Sequence, residues 1–201
     1  MNLFTSALSA SVLSAGAMVI TLVTFLPYIR GVLAGTIRPH VFSWLIWSIT
    51  TAIVAGAQLR AGGGAGAWAI AVSAAITIFI LLLALRARAD RAITRSDWCF
   101  LAGALLSLPA WYATSDPMWA VLILTAVDLC GFGPTLRSAY RDPHHESALF
   151  FAWFILRNAL VIAALEQWSV TTVAFPLAVG LTCVAVVGII LLRRRVVARA
   201  V

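Results

Sequence analysis

Apolar residues fall into seven blocks along the chain, at 8–29, 40–59, 67–87, 97–113, 118–138, 147–165 and 171–192. Each is close to the ~20 residues an α-helix needs to cross about 30 Å of hydrocarbon at about 1.5 Å per residue. The fourth is the shortest and contains Pro109. Little sequence lies between the blocks, so no separate soluble domain is expected. The pattern predicts an all-α integral membrane protein with seven transmembrane helices. The first 29 residues hold no Lys or Arg. A secretory signal needs a basic n-region, so the first block is expected to stay as a helix.

Composition agrees with that solvent. Of the 201 residues, 63% are hydrophobic and 10% charged, against about 25% charged in soluble domains. The net charge of +7 comes from arginine alone, because the chain has no lysine. Arg30, Arg38, Arg86, Arg88, Arg91, Arg95, Arg137, Arg141, Arg193, Arg194, Arg195 and Arg199 all fall at one set of helix ends. The opposite ends hold Arg60 with Asp116 and Glu166. Basic loops stay cytoplasmic, which predicts an external N-terminus and a cytoplasmic C-terminus. The basic charge is therefore read as a topology signal, aided by anionic lipid, and not as a nucleic-acid surface. The missing lysine also excludes a retinal Schiff base.

The chain repeats itself. TLVTFLPYIR (21–30) and DLCGFGPTLR (128–137) share Phe25 with Phe132, Pro27 with Pro134 and Arg30 with Arg137, at an offset of 107. In the following helices Trp44, Ile46, Ala55 and Gln58 meet Trp153, Ile155, Ala164 and Gln167 at an offset of 109. A Pro-His step lies between the matched helices in both halves, at Pro39-His40 and Pro143-His144. Two parallel three-helix repeats follow, at 1–95 and 115–201, joined by a linker helix at 96–114 (3+1+3). Such repeats are related by an axis along the membrane normal and hold solute near the midplane.

A helix ending in proline, an arginine-bearing loop and a helix opening on Ser-Trp resemble the PQ-loop and SWEET superfamily. Pro27, Arg38, Ser43 and Trp44 carry the resemblance in the first half, and Pro134, Arg141 and Ser147 in the second. The name-giving glutamine is replaced by Tyr28 and by Thr135. The chain looks most like the bacterial seven-helix members. The resemblance implies a small-solute carrier with a central pocket and kinking prolines at a gate. It also implies a multi-pass protein of the bacterial inner (plasma) membrane.

Individual residues sharpen the expectation. Pro27 and Pro134 are the candidate gate or hinge positions, since proline removes a helix hydrogen bond; marking helix ends is the simpler alternative. Pro39 and Pro143 are expected in the first turns of helices, with Asp142 as a cap. His40, His144, His145 and Glu146 suggest metal ligands, but adjacent helical histidines point ~100° apart. They are read as solvated interfacial groups, with no metal and no cofactor. Cys99, Cys130 and Cys183 are too scattered for a disulfide framework. Trp98, Trp111, Trp119 and Trp168 suit an interfacial belt, with Trp44, Trp47 and Trp153 deeper.

Asp128 and Arg157 are the only charges well inside a span. Each costs ~2.5–3.5 kcal/mol or more at the bilayer centre. Similar depth and opposite sign make them expected partners across helices 5 and 6. Thr21, Thr24, Ser48, Trp44, Trp153 and Asn158 are expected around them, forming the candidate solute site. Hydroxyl stripes of this kind equally serve helix–helix hydrogen bonding. No hydrolytic triad, phosphate loop or zinc motif is present, so a non-enzyme is expected. The partners expected are a small-molecule solute and membrane lipid, with homo-oligomerisation allowed. Two functions fit: a transporter or facilitator of a small polar solute, and a non-transporting receptor, sorting or accessory protein.

Overall fold

The computed structural model describes residues 3–37, 39–86, 95–141, 143–144 and 146–196. Arg38, Arg88, Arg91, Asp142, His145 and Arg199 lie outside them. The described residues are all-helical, without a β-strand. The elements are α1 (Leu3–Leu33), α2 (Val41–Arg60), α3 (Gly64–Arg86), α4 (Arg95–Thr114), α5 (Pro117–Gly131), α6 (Gly133–Arg141), α7 (Ala148–Ala163) and α8 (Val170–Arg194). Every apolar block is a helix. The fifth is interrupted at Phe132, so α5 and α6 form one broken run with Pro134 in the first turn of α6. By contrast, α1 continues through Pro27. Five of these runs are long and apolar enough to cross a membrane; the helices at Trp98–Thr114 and Ala148–Ala163 are shorter.

Side-chain caps set the helix starts, each satisfying a backbone N–H that has no partner within the helix. His40 Nδ1 accepts from Ser43 N at 3.2 Å at the head of α2. Pro39 therefore precedes the cap and is not in the first turn. Asp116 Oδ1 accepts from Met118 N at 2.8 Å, with Pro117 opening α5. Ser147 caps α7 through Phe150 N, so Pro143 lies in the turn ahead of the helix. Ser169 and Thr172 form a reciprocal capping box on α8.

Packing groups the helices in a regular way. α3 lies against both α1 and α2, and α8 lies against α5, α6 and α7. The groups meet where α1 packs on α7 and α2 packs on α5, while α4 rests on α5 and α2. Ile70, Leu124, Val161 and Val186 are fully buried at these contacts. The outer surface is also apolar: Leu22, Leu82, Leu106 and Leu181 are each more than half exposed.

At the end holding Arg60, two turns are latched together. Ala65 N donates to Glu166 Oε1 at 3.1 Å, and Gly66 N donates to the Ala164 carbonyl at 3.1 Å. Gly64 has φ +56°, and a Cβ there would run into the Glu166 side chain. Only glycine meets both demands without strain. At the opposite end Arg193 donates to the Tyr140 carbonyl and stacks over its ring, and Arg194 donates to the carbonyls of Pro143 and Glu146.

Candidate functional site

A cavity of about 330 Å³ opens inside the bundle. Its walls come from α1 (Thr24, Phe25, Tyr28), α2 (Trp44, Trp47, Thr51) and α3 (Ile70, Ser73, Thr77). The facing walls come from the α5–α6 run (Asp128, Phe132, Thr135), α7 (Phe150, Phe151, Phe154, Arg157) and α8 (Phe175, Val179, Cys183). Nine of these nineteen side chains are aromatic, so polar groups are few and their positions decide what fits.

Arg157 supplies most of the polar structure. Its guanidinium is buried, 4% exposed. Nε donates to Thr21 Oγ1 at 3.2 Å and one terminal nitrogen donates to Asn158 Oδ1 at 3.1 Å. The other terminal nitrogen donates to Ser73 Oγ at 2.6 Å and to the Ala69 carbonyl at 3.1 Å. Four of the five guanidinium N–H groups are thus matched by neutral acceptors from α1, α3 and α7. Thr21, Ser73 and Asn158 are free to accept because their own hydrogens are used on the carbonyls of Ala17, Ala69 and Phe154.

Asp128 lines the same cavity from α5, partly buried. Among the described residues it has no hydrogen-bond or ion-pair partner, and Arg157 bonds elsewhere. The expected pair is therefore replaced by two separate charges, with Cys183 in electrostatic reach of both. Helix order explains the separation. α7 packs on α1, α3 and α8, while α5 packs on α2, α4 and α8. α8 thus stands between the two charged helices.

The other predicted residues divide. Thr24 lines the cavity and donates to the Ile20 carbonyl at 2.7 Å. Trp44 is buried and donates through Nε1 to Tyr28 Oη at 3.0 Å. Thr21 and Asn158 sit behind the lining and hold Arg157. Ser48 is buried but donates to the Trp44 carbonyl, away from the cavity wall. Trp153 is 42% exposed on the outer face of α7 and does not line the cavity. Pro27 lies within α1 a residue from Tyr28, and Pro134 lies in the α6 turn beside Phe132 and Thr135.

Lining positions recur at a near-constant separation. Phe25 and Phe132, Tyr28 and Thr135, Trp44 and Phe151, and Trp47 and Phe154 all stand 107 apart. Ser73 and Val179, and Thr77 and Cys183, stand 106 apart. At a separation of 107 the position matching Trp44 is Phe151, which lines the wall; Trp153, matched to it at 109, does not. Sequence reasoning missed the α3 and α8 contributions and the α7 phenylalanines. The hydroxyls Ser73 and Thr77 at i, i+4 were the available signal for α3.

Neither protein-family models, nor curated proteins, nor solved structures yield a match to this chain.

Proposed function

We propose that the chain is a seven-helix membrane carrier that moves a small polar solute through the cavity between two three-helix units. The observation that carries this reading is the cavity itself, walled by residues of α1–α3 and of α5–α8 at matched separations. The helix order supports two units related by a two-fold axis along the membrane normal. α3 sits between α1 and α2 as α8 sits between the α5–α6 run and α7, and α1 meets α7 as α2 meets α5. α4 then serves as the linker that parallel three-helix units require. The apolar outer surface fits lipid, since a soluble monomer rarely exposes contiguous apolar area of this kind.

The gathering of Arg30, Arg86, Arg95, Arg137, Arg141 and Arg193–Arg195 at one set of helix ends supports a cytoplasmic C-terminus by the positive-inside rule. In this reading the protein belongs to the bacterial inner membrane and resembles the PQ-loop and SWEET carriers in architecture. The break at Phe132, opposite an unbroken α1, makes the α5–α6 junction the natural hinge of a gate. An interruption in a membrane helix is tolerated where it lines a cavity, and Phe132 and Thr135 do line it.

The test is counterflow in proteoliposomes with sugars, amino acids and amines. A carrier gives saturable exchange of one class, abolished by Val179→Trp, which fills the cavity from α8. Saturable binding in detergent with no exchange in proteoliposomes favours the receptor or accessory reading instead.

A further inference from the structure

The polar groups of the cavity are not equally satisfied, and the imbalance has a sign. Arg157 is surrounded by the negative ends of dipoles from Thr21, Ser73, Asn158 and the Ala69 carbonyl. Its charge is solvated by the protein, and a single N–H is left over. Asp128 receives no donor at all. A carboxylate accepts at two oxygens with about four lone-pair directions, so its demand is large. No lining hydroxyl donates to it: Thr24, Thr51 and Thr77 bond to the carbonyls of Ile20, Trp47 and Ala74, with Thr51 and Thr77 also in contact with each other, and neither Tyr28 nor Thr135 bonds to it. What the cavity lacks is therefore a cationic donor, not an anion.

The walls select the rest of that donor. Nearly half the lining is aromatic, and aromatic faces attract cations, most strongly in desolvated settings. A small hydrated metal ion would gain little from such walls, because one carboxylate and scattered hydroxyls among aromatic rings fall short of the several oxygen ligands needed to replace its water. An ammonium group on an apolar body satisfies both features. Its N–H groups reach the carboxylate and its body lies on the rings. The fixed positive charge of Arg157 in the same cavity disfavours a second cationic centre.

We propose that the cavity takes a monovalent organic ammonium ion, with its N–H groups on Asp128 and its apolar body against the aromatic walls. The inference rests on the reading of this cavity as a solute site. The test uses compounds sharing one body: phenethylammonium, 2-phenylethanol, phenylacetate and zwitterionic phenylalanine, with glucose as a neutral polar control. Binding to the detergent-purified protein is measured at pH 7 by equilibrium dialysis and by quenching of tryptophan fluorescence. Phenethylammonium is expected to bind about tenfold or more tighter than each of the others. Asp128→Asn should remove that preference while Asp128→Glu retains part of it.

The selectivity of the unaltered protein decides the matter even if a variant fails to fold. Equal or tighter binding of phenylalanine, phenylacetate or 2-phenylethanol overturns the proposal. Glucose binding or exchange that Val179→Trp blocks, without phenethylammonium binding, overturns the cation assignment and leaves the carrier reading intact. No binding or exchange of any compound overturns both.

Discussion

Replacing Arg157 with Met removes four hydrogen bonds, yet most of their acceptors lose little. Thr21 and Ser73 keep their bonds to the Ala17 and Ala69 carbonyls, and Ala69 still accepts from Ser73 Oγ. Asn158 Oδ1 is different, because Arg157 is its only partner among the described residues. Leaving one buried acceptor unsatisfied costs about 1–3 kcal/mol. Removing a buried charge works in the opposite direction, so Arg157→Met should lose no more than about 1–3 kcal/mol. Adding Asn158→Leu removes the orphaned oxygen, and the double variant should be no less stable than Arg157→Met. Asp128→Asn should cost under about 1 kcal/mol, since no hydrogen bond is lost. Reversible SDS titration in mixed micelles measures the unaltered protein, these variants and Asp128→Asn/Arg157→Met. A buried ion pair would behave otherwise: removing either partner strands the other and costs about 3–5 kcal/mol. A loss of that size for Asp128→Asn, with the Asp128→Asn/Arg157→Met double variant no worse than either single, would refute separate roles for the charges.

Gly64→Ala forces an alanine to φ near +56° and displaces the Glu166 side chain that accepts from Ala65 N; a loss of about 1–3 kcal/mol is expected in the same titration, and an unchanged midpoint would remove the latch from the account. In a variant lacking Cys99, Cys130 and Cys183, cysteines placed at Trp168 and Arg195, both exposed, report orientation. An impermeant thiol reagent applied to intact cells should label Trp168→Cys and spare Arg195→Cys, and the reverse pattern sinks the external N-terminus. Val179→Trp should abolish exchange while shifting stability by about 1–3 kcal/mol at most; undiminished exchange in a folded variant would mean that solute does not pass through this cavity.

That each apolar block is helical was legible in the sequence, because apolar run length and charged flanks are local features; the break of the fifth block at Phe132 was not. The Phe-Pro-Arg match at 107 needs no structure to be seen, whereas the cap of α7 is Ser147 and not the expected Asp142. The two charges inside apolar runs were legible for the same reason, since a charge there is conspicuous. Their relationship was not. Asp128 and Arg157 lie at similar depth on helices adjacent in sequence, but α8 packs between those helices and turns Arg157 toward α1 and α3. Depth along a helix follows from residue number; the neighbour that its face meets depends on how all the helices pack. The same limit applies to α7: sequence identity set Trp153 against Trp44, but the wall holds Phe151, and Trp153 lies on the outside. A residue-by-residue match does not by itself fix which face of a helix turns inward when most of its residues are apolar, as on α7 apart from Arg157 and Asn158.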